Sequence, residues 1–350
     1  MIELPRGHRL AVDAAIERVL DRLRRRTAPL GDGARALAEA IASAVADGKR
    51  LRPALVVTSF EAFGGDAGTE AALWDVAAAF ELLHTAFLVH DDVIDHDVER
   101  RGVPNVAGRF RDRATARGAD DRAAGTVGDA AGVLAGDLLL FEATRMIAAA
   151  PLATAARGQL LETLDEAVLV SAIGELADAE HAAHADCPDA DVLLATAHDK
   201  TAVYTFRAPL RAGAILAGAD PAPLAESAAD LGLAFQLVDD LIGTFGTRRQ
   251  AGREPGADLR EAKRTPLIAL ARRTESWPQV SSALALAATG PIAVRRAQHE
   301  IEASGARTEL EVLIRRRLQR ARSHAASPRL PRAAGALLGE LADAIEERIP

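Results

Sequence analysis

Five aspartates have the spacing of a metal-dependent reaction centre. Asp91, Asp92 and Asp95 form a DDxxD pattern, and Asp239 and Asp240 form a second pair inside FQLVDDLIGTFG. On a helix, residues three and four apart share a face, so the three carboxylates of the first group converge. Like charges that close repel unless a cation lies among them. Donor sets of oxygen alone suit Mg²⁺, which takes one or two carboxylates and fills its shell with water and phosphate oxygens. A lone DDxxD is explained as well by an acidic helix end facing solvent. Two such groups, each embedded in apolar helical sequence where bare carboxylates are costly, are not. The pair is what a metal-bridged diphosphate requires.

Four basic elements supply the opposite charge: Lys49, Arg50 and Arg52 in GKRLRP (residues 48–53); Arg100 and Arg101; Lys200 in DKTAVYTFR; and Arg253, Lys263 and Arg264 downstream. Taken singly, the first is also a charged turn and Lys200 an ordinary surface lysine. Arginines just past a carboxylate cluster suit the phosphate oxygens that a metal leaves free. Gln236 lies one turn before Asp240, and His84 two turns before Asp91, within reach of a phosphate. His90, His96 and His198 are not spaced as a metal set and read as structural. No phosphate-cradling glycine loop, Ser/His/Asp arrangement or HExxH pattern competes. The basic run at residues 315–322 reads as a solvated helix face.

The elements that must carry these residues are helical. The chain has 350 residues, 49% hydrophobic but only 3% aromatic, so alanine and leucine supply the core and both favour helix. β-Branched runs bounded by turn signals are scarce, which predicts no sheet. A net charge of −8 argues against a nucleic-acid partner. One cysteine, Cys187, excludes an intramolecular disulfide and fits a reducing, cytoplasmic setting. The first residues lack a signal-peptide layout. No uninterrupted apolar run approaches the roughly 18 residues of a membrane span. Helices are expected over residues 8–26, 34–46, 53–63, 70–95 (capped by Thr69), 131–149, 154–185, 189–217 (bent at Pro209) and 221–243, and again from residue 265 onward. Residues 109–127 and 244–263, polar and glycine-containing, read as loops and candidate lids. No repeat or linker divides the chain, so residues 1–350 read as one domain.

Taken in order, GKRLRP, HxxxxxHDDxxDxxxxRRGxP (residues 84–104), Lys200–Thr201, FQxxDD and a G(K/R)xxGxDLxExKxT stretch (residues 252–265) resemble the trans-isoprenyl diphosphate synthases, or polyprenyl synthetases. The likeness runs from about residue 30 to the C-terminus. It implies an all-α, single-domain isoprenoid synthase bundle of roughly a dozen helices around a central cavity, usually a homodimer. It also implies that Asp91, Asp92, Asp95, Asp239 and Asp240 bind three Mg²⁺ that grip an allylic diphosphate (dimethylallyl, geranyl or farnesyl). Arg100, Lys200, Thr201 and Gln236 match residues assisting there. Lys49, Arg52, His84 and Arg101 match an isopentenyl diphosphate site, and Arg253 and Lys263 match the late-loop cations. Ionisation of the allylic diphosphate, attack by the double bond of isopentenyl diphosphate and proton loss follow, with released diphosphate the nearest base.

Departures from the pattern are instructive. The second motif is DDxxG, with Gly243 where many relatives carry a third aspartate; similar forms occur in actinobacterial-looking members that resemble active geranylgeranyl diphosphate synthases. Arg253 replaces a lysine, and Gly174–Glu175, followed by Asp178, replaces Gly-Gln. Below Asp91 the helix presents Phe87, Leu83 and Phe80, about 5.4 Å per turn, comparable to one isoprene unit. Phe87 would narrow the shaft, while Ala86 leaves space where short-chain relatives carry an aromatic residue. The DDxxD spacing lacks the two-residue insertion of many bacterial short-chain synthases. A geranylgeranyl product is expected, with farnesyl or a five-unit product as alternatives. Two rivals are a terpene cyclase, which has no use for GKRLRP and His84, and a non-catalytic partner subunit, suggested by Gly243.

Overall fold

Alanine and leucine carry nearly the whole chain into helix. The structure, a computed structural model, describes residues 2–46, 48–183, 188–251 and 254–350. In order come α1 (Arg6–Thr27), α2 (Asp32–Ala46), α3 (Leu51–Ala62), α4 (Ala72–Ile94), α5 (Val106–Thr115), α6 (Asp121–Ala149), α7 (Thr154–Ala183) and α8 (Ala190–Ala197). A π-helical segment, His198–Arg207, leads into α9 (Ala208–Leu216), then α10 (Ala225–Phe245), α11 (Arg248–Ala251), α12 (Ala257–Arg260) and α13 (Pro266–Arg272). The chain ends with α14 (Trp277–Leu284), α15 (Pro291–Ala303), α16 (Ala306–Ala325) and α17 (Arg332–Glu346). The all-α expectation holds, with seventeen α-helices among the described residues rather than a dozen, because proline and glycine cut the C-terminal half into short pieces. A two-strand hairpin, β1 (Glu99–Arg100) and β2 (Val103–Pro104), is the exception to the absence of sheet.

Contacts divide the chain into two compact units. Ile2–Asp165 with Pro209–Asp220 form the first, and Glu166–Ala208 with Pro221–Pro350 the second. In the first, α4 is the core helix: Leu73, Val76, Phe80, Leu82, Leu83 and Ala86 are wholly buried. α6 lies against it through glycines four apart. A Cβ on Gly132 would lie 2.3 Å from the Val93 side chain, and one on Gly136 2.1 Å from the His90 ring, so only glycine permits this approach. His90 is thereby fixed beside the Val133 carbonyl, 3.2 Å away. In the second unit α10 is the core helix, with Leu231, Leu237, Val238 and Leu241 buried. It packs on α16 and on the π-segment, where a Cβ on Gly232 would lie 2.6 Å from the Ala202 side chain.

Several expectations are corrected. Residues 109–127 are not a loop: Asn105 and Asp120 accept N–H bonds from Gly108 and Ala123, each at 2.8 Å, and start α5 and α6. The charges that made this stretch look unstructured are satisfied on α2, where Arg117 meets Asp32 at 2.7 Å and Arg109 meets Ser43 at 2.7 Å. Thr69 does not cap α4, which begins at Ala72 with the Glu70 carboxylate accepting from Ala72 N at 3.0 Å. The bend expected at Pro209 falls earlier. Pro209 lacks an N–H for the preceding turn, and the ladder widens to π spacing, the Ala208 N–H reaching Val203 O. Residues 244–263 contain the end of α10 and the short α11 and α12. Cys187, Arg253 and the end of the expected 154–185 helix lie outside the described residues.

Two helices, Ala72–Ile94 and Asp121–Ala149, are long and apolar enough to cross a membrane, which a search for uninterrupted runs overlooks. In α4 that window is 72% buried inside the protein, whereas in α6 it is 39% buried. The outer face of α6 shows Val127, Leu134 and Phe141, seven residues apart, and α7 exposes Leu169, Ile173 and Leu176.

Candidate active site

The first carboxylate group sits at the C-terminal end of α4, where helix geometry itself adds negative potential. Three backbone bonds close that end: Asp95 N to Asp91 O at 2.8 Å, His96 N to Val93 O at 3.2 Å and Asp97 N to Asp92 O at 2.8 Å. This is the Schellman arrangement, which needs a left-handed residue after the cap. His96 takes that conformation (φ 57°) without being glycine. Asp95 is thus the helix cap, exposed, while Asp92 is buried.

The hairpin then returns the chain to Asp92. Its two turn residues, Arg101 (φ 56°) and Gly102 (φ 78°), are both left-handed, the signature of a type I′ turn. Arg100 pairs with Val103 across the hairpin, and its guanidinium donates to Asp92 Oδ1 from Nε at 3.0 Å and from Nη2 at 2.6 Å. Nη2 also lies 3.6 Å from Asp91 Oδ2. Burial pushes the Asp92 carboxyl above its ordinary range despite this cation, with Asp91 and Asp97 adding to the push. Burial pulls hardest against the charged Arg100, but its bonds to Asp92 together with the charges of Asp92, Asp91 and Asp97 raise it overall.

GKRLRP divides its charges. Arg50 turns inward in a left-handed conformation (φ 54°) and donates to Asp13 at 3.0 Å, Glu81 at 3.1 Å and Val45 O at 2.9 Å. A Cβ on Gly48 would lie 2.9 Å from Glu81 Oε1, so the glycine serves this buried pair. Lys49 stays exposed. Arg52 is buried beside His84, whose ring is held well below its ordinary pKa by burial and then by Arg52, Arg100, Arg101 and Arg50. His84 is therefore neutral at neutral pH, amid four guanidiniums. A neighbouring cavity of about 80 Å³ is lined by Asp92, Arg100, Arg101, Thr85, Leu88 and Val89 among others. Of the chain-length positions, Leu83 and Ala86 are fully covered, and Phe87 keeps accessible surface.

The second group lies within α10, which continues past it to Phe245. Gln236 donates to Asp240 Oδ1 at 2.9 Å, as its spacing predicted. Asp240 is buried and its carboxyl is pushed up to about 8, by burial and then by the charges of Asp258, Asp239 and Asp178, against the Gln236 bond. Asp239 is paired with Arg348, whose guanidinium stacks 4.6 Å from the centre of the Phe235 ring. Lys200, carried by the π-segment beside Thr201, donates to Glu175 at 3.0 Å and Asp178 at 2.8 Å. The departures at Glu175 and Asp178 thus provide its anchor. Gly174 lets α7 approach closely, since a Cβ there would lie 2.3 Å from Lys200 N. Lys263, exposed, closes α12 by donating its N–H to Asp258 O at 2.9 Å, a second Schellman end with Ala262 left-handed (φ 54°). Sequence reasoning passed over Asp258 and Arg348, and read Asp178 only as part of a departure from the family pattern. Asp258 lay in the matched 252–265 stretch, whereas Arg348 gave no signal.

The donor chemistry fits Mg²⁺. Each unit holds a carboxylate pair with cationic neighbours and no histidine or cysteine ligand, and buried Asp240 faces three further carboxylates. Among the described residues no three acidic, histidine or cysteine side chains form a protein-only cage, and Mg²⁺ seldom uses one, completing its shell with water and phosphate.

The fold and site define an all-α protein with two aspartate motifs, each among cations. The polyprenyl synthetase family model matches residues 34–300, and the chain belongs to that family. It is 32% identical over 231 residues to a geranylgeranyl diphosphate synthase of Sulfolobus acidocaldarius, covering 63% of this chain and 62% of that enzyme. It is 34% identical over 225 residues to an octaprenyl diphosphate synthase of Escherichia coli, covering 63% and 61%. The matches therefore span somewhat under two thirds of these relatives. A crystal structure of geranylgeranyl pyrophosphate synthase from Corynebacterium glutamicum, complexed with isoprenyl diphosphate and magnesium, is similar with a TM-score of 0.90 and 28% identity, covering 99% of this chain and all of that one.

Proposed function

We propose that this chain, as one synthase domain over residues 1–350, condenses isopentenyl diphosphate with an allylic diphosphate to give a short-chain all-trans prenyl diphosphate. The observation that carries this reading is the setting of Asp240, buried on α10 with its carboxyl raised by Asp258, Asp239 and Asp178, where a bound cation would relieve the crowding of like charge. Asp91, Asp92 and Asp95 of the first motif, and Asp239 and Asp240 of the second, would hold Mg²⁺, three ions by analogy with the family. Bound there, the metal supplies Lewis-acid stabilisation of the charge that develops on departing diphosphate.

The chain's own side chains do the rest. Arg100 and Lys200, anchored on carboxylates, bind allylic diphosphate oxygens, with Thr201 and Gln236 beside them. Lys49, Arg52, Arg101 and neutral His84 receive isopentenyl diphosphate; a neutral imidazole donates one N–H without adding charge to four arginines. Lys263 and Arg253 contribute positive charge from the late loop. Buried apolar faces of α4 keep water from the allylic cation, which it would quench. Phe87, the chain-length position with accessible surface, is where a growing chain meets bulk, and geranylgeranyl diphosphate is the product we assign, with farnesyl or a five-unit chain as neighbours on either side. The exposed apolar stripes of α6 and α7 support a homodimer, and the net charge of −8 speaks against a nucleic-acid partner.

The test is incubation of the full chain with Mg²⁺, isopentenyl diphosphate and each short allylic diphosphate in turn, followed by product sizing. Linear prenyl diphosphates that require isopentenyl diphosphate support the reading. Cyclic hydrocarbon formed without it indicates a cyclase, and inert protein that activates a second synthase indicates a partner subunit.

A further inference from the structure

Two aspartate motifs on core helices should carry the same number of carboxylates if they do the same work. The first has three, at positions i, i+1 and i+4 (Asp91, Asp92, Asp95), and the second has aspartates at i and i+1 with Gly243 at i+4. Position i+4 lies on the same helix face as position i, so Gly243 leaves bare backbone beside Asp239. Glycine inside a helix is destabilising relative to alanine, and its presence in α10 needs a cause. The cause is a second element. A Cβ on Gly243 would lie 1.8 Å from Asp258 Oδ2 and 2.6 Å from its Cγ. The Asp258 carboxylate, presented by α12, fills the space into which a side chain at position 243 would project. Both residues are buried, so neither has an easy alternative position.

We infer that Asp258 is the third carboxylate of the second metal motif, delivered from the 252–265 loop onto the glycine notch, and that Gly243 is its necessary complement. This rests on the proposed Mg²⁺-dependent function and assigns one more residue to that site. Asp258 would add its charge to the site that Asp239 and Asp240 form; removing a partner of this kind from a metal site typically changes metal affinity 10–100-fold. The arrangement also ties the late loop to the metal. A diphosphate-bound ion would hold α12 against α10 through Asp258, whereas an aspartate within α10 could not.

The experiment is calorimetric titration of MgCl₂ into the full-length protein with inorganic diphosphate present, with unfolding midpoints measured in parallel. Asp258→Asn, close to isosteric, should weaken Mg²⁺ binding about tenfold or more. Gly243→Asp should weaken it comparably, since its carboxylate collides with that of Asp258. The exchange Gly243→Asp with Asp258→Gly should bring affinity back to within about threefold of the parent, because the charge returns on the other element. Asp258→Asn that lowers the unfolding midpoint but leaves Mg²⁺ affinity within twofold would overturn the inference by showing a structural role only. So would an exchange variant no better than the weaker single variant. If Gly243→Asp does not fold, Asp258→Asn decides alone. Asp239→Ala separates the two levels: binding retained there contradicts the second motif as a metal site, whereas binding lost there but kept in Asp258→Asn contradicts only the role of Asp258.

Discussion

The two aspartate motifs start from the same pair of adjacent carboxylates and reach opposite electrostatic settlements. At the first, at the C-terminal end of α4, a hairpin brings Arg100 onto Asp92 with two bonds to one oxygen, and the third carboxylate, Asp95, is an exposed cap. At the second, deep in α10, Asp240 has a neutral amide for its hydrogen-bond donor and is pushed up by burial and by other carboxylates, while Arg348 pairs with its neighbour Asp239 and Lys200 with Glu175 and Asp178. At the first motif the buried carboxylate receives a guanidinium; at the second it receives a neutral amide and is crowded by other carboxylates.

The largest expected effect breaks both alike. Asp91→Ala or Asp239→Ala should lower turnover on the order of a hundredfold or more, since each removes charge from the metal clamp; steady-state rates with saturating Mg²⁺ check this, and near-normal turnover in either would contradict the metal assignment. Next, Arg100→Ala should separate the motifs by stability. It strands buried Asp92 without its cation, which costs about 3–5 kcal/mol when both partners are buried and less here because Arg100 is partly exposed. Metal-free urea unfolding should show a lower midpoint for Arg100→Ala and no such loss for Gln236→Ala.

The substrate-binding side sharpens the comparison further. Arg52→Ala or His84→Ala, on the first unit, should raise the isopentenyl diphosphate requirement roughly tenfold, the loss of one charge-assisted hydrogen bond, with allylic affinity kept. Lys200→Ala, on the second, should do the reverse. Equal losses for both substrates in all three variants would show that the cations are not divided this way.

Acidity separates the motifs more gently. Asp240, ordinarily near 3.8, is raised to about 8 in the fold. An acid raised on folding keeps a proton that the unfolded chain releases, so the metal-free protein should lose stability as pH climbs from about 4 to about 8 and level off beyond. Mg²⁺ must displace that proton, so its affinity should rise with pH over the same window and a proton should be released on binding below pH 8. Calorimetry in buffers of different ionisation enthalpy reads the proton directly, and Asp240→Asn should abolish it. Smallest in rate but visible in product, Phe87→Ala should lengthen the prenyl chain, and Ala86→Phe should shorten it; unchanged products in both would place the floor on another helix.

How much of this could be read from residues alone follows a physical division. Helix-face spacing gave the carboxylate groups, the Gln236–Asp240 contact and the all-α architecture, because these depend on one element's own period. What escaped depends on contacts between elements. Residues 109–127 looked unstructured until α2 provided partners for their arginines. The Schellman ends at His96 and Ala262 lack the glycine that announces such a cap. Arg50 and Arg52, two residues apart in one motif, go separate ways because Glu81 and Asp13 claim the first. Gly243 read as a missing ligand, and only the position of Asp258 shows the space to be occupied.

The central claim is that both motifs serve one Mg²⁺-dependent prenyl transfer, and the most direct measurement is incorporation of labelled isopentenyl diphosphate into extractable prenyl diphosphate as Mg²⁺ is titrated, in the parent, Asp91→Ala and Asp239→Ala proteins side by side. The account predicts incorporation that is abolished by chelation, restored by Mg²⁺ in the parent, and shifted to higher Mg²⁺ with a much lower ceiling in both variants. Incorporation by the parent that is indifferent to Mg²⁺, or a variant at either motif that titrates like the parent, would contradict it.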